Sequence, residues 1–188
     1  MQIADNFAQQ LEQCLEGIAL DGPAALAGLF DLTSHRLHRF SVTITRNQHD
    51  AEDAVQAALL RVATAPQILR AAERPWSYLL RMVRNESLLI LRKKKRLFTI
   101  SNLLDLVTRR MVDEVELEET HRAVWTALRQ LPLEQSEVVV LKIWETMTFA
   151  QIGEVLEVNA STAASRYRYA MQKLTLLLND SCTGVTHE

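Results

Sequence analysis

The sequence predicts an all-α protein made of two small helical domains joined by an acidic linker. Three observations carry this prediction. Period-2 stretches bounded by hairpin dipeptides are nearly absent, while apolar residues recur at helical spacing along most of the chain. Glycine and proline together number only nine in 188 residues, and the prolines stand between the periodic stretches. Charge is segregated: residues 74–96 carry eight bases and one acid, whereas residues 105–119 carry six acids and two bases.

Each element follows from local signals. Asp5 is placed to cap a first helix running to about Leu20. Asp21, Gly22 and Pro23 break the chain, and Pro23 opens a second helix to about Arg46, at a position where its missing N–H costs nothing. Asp50 is the expected cap of a third helix, with Asp53 as a short-acid capping box. In that helix Ala54, Val55, Ala58, Leu59 and Val62 line one face, and Pro66 ends it or lies just beyond. Pro75 opens a fourth helix through Trp76, Tyr78, Leu79, Met82 and Val83 into the run Arg92–Arg96. A first domain of residues 1–97 is long enough to bury a modest core. Residues 98–119 form the acidic linker, part of it helical. A second domain, residues 120–178, begins with a helix marked by Ala123, Val124, Ala127, Leu128 and Leu131 and stopped by Pro132. Val138, Val139, Leu141 and Ile143 mark the next helix, Ile152, Val155 and Leu156 a short third, and Ala163, Ala170, Met171, Leu174 and Leu178 a longer fourth. The polar tail 179–188 is expected to fray.

Composition narrows the function classes. With 48% hydrophobic and 23% charged residues the chain is neither disordered nor fibrous. The longest apolar runs, such as Leu88–Leu91, cannot span a bilayer, so no membrane insertion is expected. The N-terminus lacks a basic start followed by an apolar stretch, so no secretory signal is visible and a cytoplasmic location is expected. Cys14 and Cys182, near opposite ends, make neither a disulfide framework nor a zinc-ligand cluster. A net charge of −2 excludes a uniformly basic protein, yet the +7 of residues 74–96 gives one cationic surface for a polyanion.

Three stretches stand out. Residues 148–169 read as a short capped helix, a tight turn at Glu157–Asn159, and a second helix starting near Ser161. Gly153 permits close approach of the two helices and Val158 plugs the turn from inside, which is helix-turn-helix logic. The second helix puts Ser161, Thr162, Ser165, Arg166, Arg168, Tyr169 and Lys173 forward. Hydroxyls and arginines at a helix N-terminus suit phosphates and major-groove edges; the plainer account is a helical hairpin with a polar outer face. The basic helix combines Trp76, Tyr78, Arg81, Arg84, Asn85, Arg92, Lys93, Lys94, Lys95 and Arg96, where charges neutralise phosphates and rings stack on unpaired bases. A helix end favoured by its macrodipole is the plainer account, although five consecutive bases exceed what that small benefit calls for, and Trp76 taken alone fits a core position. The third stretch, Asp50–Arg61, presents Asp50, Glu52, Asp53, Gln56, Leu59, Leu60 and Arg61 as a mixed face for a partner helix, or simply acids set against a helix dipole.

In their order the three stretches resemble the extracytoplasmic-function (ECF) sigma factors, promoter-recognition subunits of bacterial RNA polymerase. LHRF at 37–40 followed by DAEDAVQ at 50–56 resembles the family's polymerase-binding stretch. SYLLRMVRN at 77–85 with the basic run after it resembles the −10 element helix. ALRQLP at 127–132, EVVVL at 137–141 and the helix-turn-helix resemble region 4. The likeness covers about residues 10–178. It implies a region 2 helical bundle in 1–97 and a region 4 helix-turn-helix in 120–178. It further implies that the Asp50–Arg61 helix binds the clamp helices of the polymerase largest subunit. The Tyr78–Arg96 helix would hold the −10 element and catch an unstacked base. The Ser161–Lys173 helix would enter the −35 major groove while region 4 touches the polymerase flap, and the linker would run near the RNA exit path. An anti-sigma factor or other regulator is an implied partner; no cofactor, metal or catalytic residue is implied. The chain departs from the family pattern at Tyr78, where Trp is common, at Leu89, where Asp is common, at Glu157, where Gly is usual, and at Ala163–Ala164, where Val-Lys is frequent.

Other classes fare less well. An enzyme would need a phosphate loop, a nucleophile elbow or a ligand set, and none is legible; His35 and His38 have no partner at ligand spacing. A sigma-like decoy would share these motifs without driving transcription. A one-component helix-turn-helix regulator would normally dimerise on a palindrome, and the chain shows neither dimerisation heptads nor an effector domain.

Overall fold

The structure, a computed structural model, describes residues 2–21, 26–101 and 119–183. The described residues form helices α1 (Gln2–Asp21), α2 (Leu26–Thr45), α3 (Gln48–Thr64), α4 (Gln67–Arg70), α5 (Pro75–Ser101), α6 (Glu119–Arg129), α7 (Leu133–Ile143), α8 (Phe149–Leu156) and α9 (Ala160–Thr183), and no strand. The chain divides into two compact units, residues 1–108 and 109–188.

In the first unit α2, α3 and α5 form the bundle. Leu29, Leu37, Phe40 and Ile44 of α2, Val55, Leu59 and Val62 of α3, and Leu79, Leu80 and Val83 of α5 are buried together. Three fully buried alanines, Ala51, Ala54 and Ala58, let α3 lie close to its neighbours. A buried hydroxyl pair, Ser41 and Ser87, joins α2 to α5 at 2.8 Å. Ser87 spends its proton on the Val83 carbonyl at 2.8 Å, so Ser41 is the donor of the pair. Helix α1 covers α2 and α4 with Leu11, Leu15 and Ile18.

The helix starts correct two expectations. Asp5 does not open α1, which already runs from Gln2 and includes it. Asp50 does not cap α3 either. Asn47 does, accepting the Asp50 backbone N–H on its Oδ1 at 3.0 Å. Arg46 at φ 55° turns the chain between α2 and α3, and the Thr45 hydroxyl donates to the Asn47 carbonyl at 2.9 Å, which fixes the cap one turn earlier than the acids suggest. The single turn α4 was not expected. Four residues are too few to show a period, and fully buried Leu69 anchors it.

The second unit packs α6, α7 and α8 around α9. Its core includes Ala127, Leu128, Leu131, Val139, Ala170 and Leu174, flanked by Trp125 and Trp144, whose rings stack at 5.6 Å. All of Val138–Leu141 is buried, so α7 is enclosed on every side at its middle. Helix α9 runs on to Thr183, so residues 179–183 of the expected frayed tail are helical. Of the linker, residues 98–101 continue α5 and Glu119 opens α6; 102–118 lie outside the described residues, as do 184–188.

Candidate nucleic-acid interface

The helix pair α8–α9 is set by its caps and its turn. Thr148 and Gln151 form a reciprocal capping box: the Gln151 N–H donates to Thr148 Oγ1 at 3.3 Å and the Thr148 N–H to Gln151 Oε1 at 2.8 Å. Glu157 ends α8 in the left-handed region, at φ 58° and ψ 43°. The Val158 N–H returns to the Gly153 carbonyl at 3.0 Å. A Cβ on Gly153 would stand 2.5 Å from the Val158 carbonyl oxygen, so only glycine admits this approach. Asn159 then caps α9, accepting the Thr162 N–H at 2.7 Å and the Ser161 hydroxyl at 2.8 Å.

On α9 the predicted side chains share one face. At about 100° per residue, Ser161, Thr162, Ser165, Arg166, Arg168, Tyr169 and Lys173 span about 160° of the helix. Buried Ala163, Ala170 and Leu174 occupy the opposite side. Ser161, Ser165, Arg168, Tyr169 and Lys173 are exposed; Thr162 and Arg166 are half-buried. Arg168 lies over the Tyr169 ring at 5.1 Å. Tyr167 turns inward against Phe149 at 5.7 Å and fixes the rotation of the helix.

The basic helix is more divided. Asn85, Arg92, Lys93, Lys94, Lys95 and Arg96 are exposed, and Tyr78, Arg81 and Arg84 half-buried. The Arg81 guanidinium sits 4.9 Å from the Tyr78 ring. Trp76 faces inward: its ring meets Phe7 edge-on at 4.9 Å, and Arg36 covers both rings. Its indole N–H is buried with no hydrogen-bond partner.

On α3, Glu52, Asp53, Gln56, Leu60 and Arg61 are exposed, Leu60 at 63%. Asp50 and Leu59 are buried, so neither belongs to the exposed face. The Asp50 carboxylate receives Lys94 Nζ at 2.6 Å, and Arg61 reaches Glu86 at 3.0 Å, the one acid of the cationic stretch. Two ion pairs therefore tie α3 to α5.

Models for Sigma-70 region 2 and for Sigma-70 region 4 match residues 29–97 and 121–174. The ECF RNA polymerase sigma factor SigM of Mycobacterium tuberculosis is 33% identical over 157 residues, covering 84% of this chain and 79% of its own. The chain is an ECF sigma factor.

The SigL factor of Mycobacterium tuberculosis is 27% identical over 92% of this sigma factor and 98% of its own length. A solved structure, the sigma factor RpoE in complex with the anti-sigma factor NepR from Bartonella quintana, matches its fold with a TM-score of 0.64 at 19% identity, over 80% of this chain and 94% of that one. As a sigma factor, the protein binds core RNA polymerase and promoter DNA and directs transcription initiation. No described helix is long and apolar enough to cross a membrane. Among the described residues no group of three or more His, Cys, Asp or Glu side chains is placed to hold a metal ion.

Sequence reasoning placed Trp76 alone at a core position but missed the α3–α5 ion pairs and the partners that seat Trp76. Lone Glu86 amid eight bases was the available signal for the first. The partners Phe7 and Arg36 lie 69 and 40 positions from Trp76, so no local pattern shows the second.

Proposed function

We propose that the sigma factor reads a −35 element with α9 and a −10 element with α5, and docks on polymerase through α3. The observation that carries the first assignment is the single polar face of α9, raised on a helix-turn-helix whose turn admits no side chain at Gly153. Ser161, Thr162 and Ser165 at the N-terminal end would take phosphates, and Arg166, Arg168 and Tyr169 the base edges. Lys173, more than three turns from the N-terminus of α9, would hold a flanking phosphate.

On α5 the ring for an unstacked base is Tyr78, backed by Arg81, with Arg84 and Asn85 beside it. Trp76 supports the start of the helix from inside. Arg92, Lys93, Lys95 and Arg96 would neutralise phosphates. On α3 the exposed set Glu52, Asp53, Gln56, Leu60 and Arg61 would meet the clamp helices of the polymerase largest subunit, with region 4 on the flap. The two sigma regions would span residues 1–97 and 120–178, joined by the linker 98–119. The setting is the bacterial cytoplasm, and an anti-sigma factor or other regulator is the expected partner; the complex of RpoE with NepR supports that class of partner.

In vitro transcription tests the reading. The full chain is added to sigma-free core polymerase with its own operon's promoter as template. A discrete new start that disappears with R166A/R168A supports it. Core binding without any transcript favours a decoy. Absence of core binding, with a specific duplex shifted by the free protein, overturns the polymerase assignment.

A further inference from the structure

The ion pair between α3 and α5 joins two surfaces that the proposed function keeps apart. Asp50 is 10% exposed at its side chain, whereas Lys94 is 57% exposed. The carboxylate is thus fixed in the protein wall and the ammonium lies at the rim of the basic run. Lys93 and Arg96 make no ion pair among the described residues. Lys94 is thus a member of the basic run whose charge is met by an oxyanion of this chain. At 2.6 Å the contact is a charge-assisted hydrogen bond, the kind an ammonium makes with a phosphate oxygen.

We infer that Asp50 acts as an internal stand-in for a DNA phosphate: it holds Lys94 and thereby lowers the affinity of the free sigma factor for nucleic acid. The inference rests on reading α5 as the DNA side. A carboxylate in direct contact removes Lys94 from the set of cations able to release counterions on binding. DNA must then break the Asp50 contact before it gains that one. Asp50 is a positioning residue in this account, and its place at the start of the α3 motif serves α5 rather than polymerase. The exposed Arg61–Glu86 pair lies farther back on α5 and leaves the five terminal cations untouched.

The test is the salt dependence of binding by the full chain to a labelled single strand and a labelled duplex of arbitrary sequence, read by fluorescence anisotropy. Each phosphate neutralised contributes roughly 0.7 to the slope of log K against log salt on a single strand and about 0.9 on a duplex. D50N is expected to steepen the slope by about one such increment and to tighten binding about three- to ten-fold at low salt. K93Q is expected to lose a full increment, and K94Q less than half of one. A purely structural ion pair would shift the melting temperature of D50N and leave the slope where it was. Should D50N fail to fold, the contrast between K93Q and K94Q decides, since both change exposed side chains. An unchanged slope in D50N, or equal losses in K93Q and K94Q, overturns the inference. The variant R92Q/K93Q/R96Q separates it from its foundation. If that variant keeps the full slope, α5 is not the DNA side and the wider reading fails; if it loses slope while folded D50N gains none, only the restraint by Asp50 is overturned.

Discussion

Glu157 is one of the residues where local preference and structure conflict. Its left-handed conformation costs a non-glycine residue about 1–2 kcal/mol, and the turn holds it there because the Val158 N–H must reach the Gly153 carbonyl. Glu157→Gly is expected to raise the thermal midpoint of the second unit, gaining about 0.5–1 kcal/mol once the greater freedom of glycine in the unfolded chain is deducted. Gly153 behaves oppositely. A methyl there meets backbone rather than a movable side chain, so Gly153→Ala is expected to destabilise by about 1–3 kcal/mol in a denaturant titration. It should also lower promoter-dependent transcription, by displacing α9. Asn159→Ala removes the acceptor of both the Thr162 N–H and the Ser161 hydroxyl, and about 1 kcal/mol should be lost in the same titration.

Among the elements, α3 separates its duties by face. Ala51, Ala54, Ala58 and Val62 face the core, while Glu52, Asp53, Gln56 and Leu60 face outward. Leu60→Asp is therefore expected to weaken core-polymerase binding about ten-fold or more in a pull-down titration while the melting temperature stays within about a degree, because an exposed leucine contributes little to the fold. A matching fall in melting temperature would show that Leu60 supports the fold instead. The α3 face was legible because buried alanines and exposed acids alternate at helical period. The cap was not: Asp50 and Asn47 are both good cap residues, and the backbone of Arg46 decides between them. Helix α9 was legible in its polar face and illegible in its length, since the Asn179–Thr183 segment offers no apolar stripe by which to extend it.

For the whole molecule the relevant quantity is the tether. Each unit has its own core, and the proposed function gives each a modest binding surface. A connector between them turns the second binding event into an intramolecular one at roughly millimolar effective concentration. Backbone cleavage between residues 102 and 118 is expected to lower promoter-dependent transcription by about 10²–10⁴-fold at micromolar protein, read as run-off product with the two pieces supplied together. Retained activity would mean that each unit holds polymerase unaided.

By itself the sequence determined the helical class, the approximate span of most helices and the exposed face of α9, because these depend on periodicity, proline positions and local hydrogen bonding within a few residues. The family followed from the order of its motifs. Only the tertiary structure decided which charges and rings remain outward. Asp50 turned from a cap into the partner of Lys94, 44 residues away. Trp76 lies against Phe7 and Arg36 rather than on the surface. The physical reason is the same in each case: a side chain's burial and partner are set by helices brought together through packing, and the sequence carries that information only in contacts between distant positions.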